Sequence, residues 1–187
     1  MSPNSLQLDW MIEQAIPEDA EKIATLHSGS FRSAYLDFAN EERSQKINKE
    51  ATEFLTPKRI QLRAELLNHA LNLPETYFYQ VAQRDDSQPI GLVYGTKLDG
   101  AQEIEALYVD ENYFGAGVGK ALVAQFIEWA DPTKPIELGV YKHNERAKKF
   151  YVKMGFEATN DDRRSHYEFI PETTMIRQPQ TTQGEIK

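Results

Sequence analysis

The spacing of apolar positions changes period several times along the chain, and each change marks an element. Residues 103–109 alternate and are rich in Ile, Leu, Tyr and Val, which predicts a strand in the middle of a sheet. From Gly119 onward the spacing becomes helical. Ala121, Leu122, Gln125, Phe126 and Trp129 predict one helix with one buried stripe. Upstream, residues 8–14 read as a first strand at the sheet edge. Pro17, followed by Glu18, Asp19 and Glu21, opens a helix striped by Ala20, Ile23, Ala24 and His27. Residues 37–73 are polar and helix-favouring, and Pro57 splits them into a pair of helices. Residues 77–82 and 90–97 are strand-like, joined at Asp85, Asp86 and Ser87, and Asp99-Gly100 marks a hairpin into the central strand, so these strands predict an antiparallel meander.

Downstream, Asp131-Pro132 closes the long helix and residues 136–141 form another strand. Asn144 caps a helix carrying Ala147, Phe150, Tyr151 and Met154 on one side, and Gly155 stands where a left-handed C-terminal cap is needed. Phe156 onward and residues 172–177 supply the last strands. Residues 1–7 and 178–187 read as loose tails, so the expectation is a single domain over 1–187 with a core at about 8–177.

Composition narrows the function. A chain of 187 residues, 40% of them hydrophobic, suffices for one domain with a core. The net charge of −8 and pI near 5.1 argue against a nucleic-acid binder and towards a cationic small-molecule partner. Cysteine is absent, which excludes disulfides, thiolate metal sites and a cysteine nucleophile. His27, His69, His143 and His166 are too dispersed to show a metal spacing. The first residues lack a basic start and an apolar run, and no stretch reaches the length of a membrane span, so the expectation is a cytoplasmic protein.

The candidate chemistry sits between the central strand and its helix. Gly115, Gly117 and Gly119 tolerate positive φ and close approach, so successive N–H groups can face an anion at a helix N-terminus, with Lys120 adding a full charge. A Walker loop does not fit, because Phe114 stands at its first glycine and Ala121 at its hydroxyl position. A dinucleotide fingerprint starting at Gly115 meets Lys120 where its third glycine belongs. The strand ending Leu107-Tyr108-Val109 followed by Gly117-Val118-Gly119 resembles motif A of the GNAT superfamily, the acetyl-coenzyme A dependent N-acetyltransferases. Phe114 departs from the Gln/Arg of that pattern, and Glu111 stands where the family often has Pro. A later GNAT motif, Asn-x-x-Ala-x-x-Phe-Tyr-x-x-x-Gly-Phe, is matched letter for letter from Asn144 to Phe156.

The resemblance implies an α/β fold of the α+β kind: a mixed, mainly antiparallel central sheet flanked by helices, splayed between its fourth and fifth strands to admit acetyl-coenzyme A. It assigns cofactor contacts to Leu107, Tyr108, Val109, Phe114, Gly115, Ala116, Gly117, Val118, Gly119, Lys120, Asn144 and Tyr151. Acyl transfer to an amine needs a base and a proton for the leaving thiolate. Period two places Glu103 and Glu105 on one face of the strand together with Leu107 and Val109. By family position Glu103 is the base, with Glu105 second. Tyr151 is the proton donor, its ordinary pKa of about 10 taken against about 8.5 for a thiol as favouring the transfer. The variable region after the first helix implies acceptor contacts from Phe31, Tyr35, Phe38, Glu41 and Glu42. The implied reaction is direct transfer of acetyl to a primary amine, such as a polyamine, with homodimers common among relatives. A coenzyme A sensor that kept the fold without turnover, and transfer of a longer acyl group, are the alternatives.

Overall fold

The computed structural model describes residues 9–98, 100–163, 165 and 167–179. Leu8, Asp99, His166 and most of both predicted tails lie outside them. β1 (Trp10–Gln14), β2 (Tyr77–Arg84), β3 (Pro89–Leu98), β4 (Ala101–Val109), β5 (Ile136–Tyr141), β6 (Glu157–Arg163) and β7 (Glu172–Arg177) form one sheet. Its order is β1-β2-β3-β4-β5-β7-β6. Every neighbouring pair is antiparallel except β4 and β5, which run parallel. This is the mixed, helix-flanked sheet that the sequence implied, with β1 at the edge.

Among the described residues five α-helices flank it: α1 (Ala20–Tyr35), α2 (Glu41–Glu53), α3 (Pro57–Asn72), α4 (Val118–Trp129) and α5 (Glu145–Lys153). On one face, Val118, Leu122, Val123 and Phe126 of α4 pack on Val93, Ile104 and Leu138. On the other, Ile23 and Leu26 of α1 and Leu67 and Ala70 of α3 pack on Tyr79, Val81 and Leu92. Each such side chain fully buried stabilises the fold by roughly 1.5–3 kcal/mol. The stripe of α4 is rotated from the predicted one: Gln125 is exposed and Val123 is buried. The cause lies in β3. A Cβ at Gly91 would stand 2.8 Å from Val118 Cγ1, and one at Gly95 would stand 2.3 Å from Phe126 Cε2, so these glycines let the helix settle on that line.

One irregularity in β4 resets the faces of the central strand. Opposite β3, Tyr94 pairs with Ala106 and Gly95 with Ile104, leaving Glu105 as an extra residue in a β-bulge. Ile104, Leu107 and Val109 therefore meet the α4 side, while Ala106 and Tyr108 meet the α1–α3 side. Glu105 Oε1 accepts a hydrogen bond of 2.9 Å from Thr96 Oγ1, and Thr96 is the register partner of Glu103. Strict alternation put both acids on the face of Leu107 and Val109. The bulge overturns that placement.

Candidate active site

The register pairs that join β4 to β5 are Glu103 with Glu137 and Ile104 with Leu138. Beyond them the strands part, and the gap widens into a cleft of about 450 Å3 lined by both strands, the glycine loop, α5 and Tyr35 of α1. On its other edge β4 stays paired with β3 as far as Val109. The backbone of Leu107, Tyr108 and Val109 thus borders the cleft on the side β5 has left.

At the mouth lies the glycine loop. Gly115 and Gly117 both take φ of +85°, and a Cβ on either would meet nothing within 4 Å, so both need glycine for backbone reasons and leave open space in front. Gly119 is already helical and packs under Val109 and Phe150. The ladder of α4 starts with Ala121 N–H donating to Gly117 O, so the N–H groups of Val118, Gly119 and Lys120 have no intrahelical acceptor. Two loop amides are already used: Phe114 N–H donates to Glu111 O and Ala116 N–H to Tyr113 O. Ala116, assigned to the cofactor by sequence, does not line the cleft. Phe114 stays 43% exposed, with the Arg146 guanidinium 3.7 Å over its ring. The loop therefore carries Lys120 and Arg146 beside unpaired amides, a donor set that fits a diphosphate.

Asn144 lines the cleft and caps α5, its Oδ1 accepting from Ala147 N–H at 3.0 Å. That occupies the carbonyl and leaves the side-chain NH2 for a ligand. Tyr151, 8% exposed, stands on the following turn. Burial, then the nearby Tyr35 hydroxyl and Glu172, raise its pKa far above the ordinary phenol value. This corrects the sequence reading of the proton's direction. A phenol gives its proton uphill to a thiolate whose thiol ionises near 8.5, and burial steepens that slope. Tyr151 remains a neutral donor, suited to stabilising a thiolate by a hydrogen bond.

Around it lies an aromatic floor, of which sequence had named Tyr35 for the acceptor and Tyr108 for the cofactor but not Tyr167. Burial raises the pKa of both the Tyr35 and the Tyr108 hydroxyl. Tyr167 also lines the cleft, its pKa pushed up to about 12 by burial. Glu172, at the start of β7, raises the pKa values of Tyr35, Tyr108, Tyr151 and Tyr167. Glu172, Tyr167 and Arg146 are reached by tertiary folding, and Arg146 alone lay inside a recognised motif. Of the residues predicted to meet the acceptor, Tyr35 and Glu105 line the cleft, as does Glu103, predicted as the base. Phe31 is fully buried, packed edge-on against Tyr35, Phe54 and Tyr167, and serves the core instead. Glu41 and Glu42 are exposed in the first turn of α2, outside the cleft lining. Phe38 stands beside Tyr141.

The model of the acetyltransferase (GNAT) family matches residues 35–156. The chain belongs to that family. Among curated GNAT proteins it is 34% identical over 87 residues to the peptidyl-lysine N-acetyltransferase YjaB of Escherichia coli, across 46% of this chain and 54% of that one. The chain thus spans about half the length of the curated relatives it matches first. Among solved GNAT structures, the PaiA N-acetyltransferase of Thermoplasma acidophilum in complex with coenzyme A superposes with a TM-score of 0.72 at 20% identity, covering 90% of this chain and 98% of that one. The solution structure of apo YjaB from Escherichia coli gives 0.54 at 24% identity, over 90% and 97%. At these identities the structures share the GNAT fold with this chain, and that fold has been seen holding coenzyme A.

Proposed function

We propose that this GNAT domain transfers an acetyl group from acetyl-coenzyme A directly to a primary amine. The observation that carries the reading is the parting of β4 from β5 with the bare amides of α4 at its mouth. In this reading Gly115, Gly117, Val118, Gly119, Lys120 and Arg146 hold the diphosphate. The backbone of Leu107 to Val109 and the Asn144 amide hold the pantetheine arm, bringing the thioester to the β4 bulge. Glu103, with Glu105 as the second choice, takes a proton from the acceptor ammonium. The amine nitrogen then bonds to the acyl carbon, the C–S bond breaks, and the sulfur keeps the electron pair under a hydrogen bond from Tyr151. The thiolate finally takes up one proton while the new amide gives up its second, so the exchange balances.

The overall negative charge pointed to a polyamine acceptor, and one relative is named for acting on peptidyl lysine. Both present a primary ammonium on an alkyl chain, the common feature this reading requires. Phe114, under Arg146 in place of the motif's Gln/Arg, favours one second reading, a coenzyme A-binding module without turnover. Calorimetry with acetyl-coenzyme A followed by thiol release over a panel of amines separates them. Binding with release supports the transferase, and binding without release on any amine supports the module. In an active preparation, Glu103→Gln should remove the acidic limb of the pH–rate profile; an unaltered limb moves the base to Glu105 or water.

A further inference from the structure

A second cavity, of about 250 Å3, lies on the α1–α3 face of the sheet and shares Glu105, Ala106, Tyr108 and Tyr167 with the cofactor cleft. It is also lined by Arg63 of α3 and His27 of α1. Arg63 Nη1 donates to the Tyr79 hydroxyl at 2.8 Å, and Nη2 lies 2.8 Å from His27 Nδ1. A guanidinium has donors only, so Nδ1 is the acceptor and the imidazole proton sits on Nε2. His27 Nε2 and Arg63 Nε are both buried and lack a hydrogen-bond partner among the described residues. Each is an N–H donor closed off from solvent, so two donors stand unmet behind the wall of this cavity.

The lining carries both signs of charge: Glu105 where this cavity meets the cofactor cleft, and Arg59 and Arg63 on α3. Burial, then Arg63 and Arg59, push the His27 pKa well below its ordinary 6.5, and burial raises that of Tyr79, so both partners of Arg63 are neutral. Arg59, one turn earlier on the same wall, is paired with Glu50 at 3.2 Å. Among the described residues, no carboxylate pairs with Arg63. A half-buried guanidinium with no carboxylate paired to it is costly until oxygen atoms meet it.

We propose that this cavity takes the carboxylate end of a small amino carboxylate acceptor, its oxygens on the Arg63 guanidinium and its amine at Glu105 in the β4 bulge, where the two cavities meet. The assignment rests on the transferase reading above and names its substrate class. A planar guanidinium matches a carboxylate in shape and charge. A polyamine brings no acceptor oxygen and sets like charge against Arg59 and Arg63. Leu62, Leu66 and Leu92 on the cavity lining favour an apolar side chain on the acceptor.

The test compares amino acids with their own carboxamides, which keep the shape and lose the charge. Thiol release from acetyl-coenzyme A is followed for each, and calorimetry measures binding of each to the coenzyme A-bound protein. The expected result is at least a tenfold advantage for the acids in kcat/KM and in affinity, carried by KM and lost in Arg63→Gln. Arg63→Lys keeps the charge but not the fork, and should lose part of the advantage; it carries the test where the glutamine variant does not fold. Equal use of acids and amides, a preference that survives Arg63→Gln, or better turnover of spermidine or a lysine-containing peptide than of every amino acid overturns the assignment while leaving the transferase standing. Coenzyme A binding with no release on any amine removes both.

Discussion

Tyr151 shows how one side chain acquires a role from its surroundings. On its helix it is one member of an apolar stripe, yet the fold buries it against the cleft beside Tyr35 and Glu172. Tyr151→Phe should lower kcat about tenfold or more and leave coenzyme A affinity within about twofold, measured by turnover and calorimetry. His27 makes a separate prediction about pH. An imidazole whose folded pKa lies below its unfolded 6.5 binds fewer protons in the native state. Its stabilising contribution is thus present above pH 6.5 and is lost as pH falls from 6.5 towards the folded value. Denaturant titrations should show a shallower loss of stability across that window in His27→Gln than in the parent. Asn144 and Tyr151 were legible because a spaced motif fixed their helix and its register. Phe31 was misassigned because its neighbours Phe54 and Tyr167 come from distant segments, and the same distance hid Glu172 and Arg63.

Among the elements, the loop and helix around residues 115–120 separate backbone effects from ligand effects. Gly117→Ala forces an alanine into a left-handed backbone at a cost of roughly 1–2 kcal/mol, while its methyl meets no protein atom within 4 Å. The methyl occupies the space before the bare amides, so coenzyme A affinity should fall by more than the unfolding temperature suggests. Asn144→Ala removes the cap of α5 and should cost about 1 kcal/mol, or roughly 2–4 °C in Tm. Restored Tm in Asn144→Asp with weakened coenzyme A binding would separate capping from ligand contact, since the acid keeps the acceptor and loses the NH2. Strand and helix boundaries followed closely from period and punctuation, as with β5, β7 and the cap at Asn144. The bulge at Glu105 did not, because it is set by the partner strand: a Cβ at Gly95 would lie 2.3 Å from Glu103 O, so only glycine there admits the kink. A pattern read along one strand carries no information about its neighbour.

At the scale of the whole molecule, the sheet divides where the cofactor cleft opens. Among the described residues, β1 to β4 form one continuous ladder, β5, β7 and β6 form another, and the register joins them only at residues 103–104 and 137–138. The resemblance announced this splay, but its extent depends on how far β4 and β5 diverge in space. So short a seam makes the two ladders separately openable units, and any molecule wedged along the missing part of the seam becomes a surrogate strand. Amide hydrogen exchange should therefore run faster in β5 and β7 than in β2 and β3 when the protein is alone. Saturating coenzyme A should slow it across both ladders, far beyond the residues in contact. A protein that requires its own ligand to finish its sheet reports occupancy as rigidity, and deuterium uptake at β7 would then serve as a gauge of the free cofactor pool.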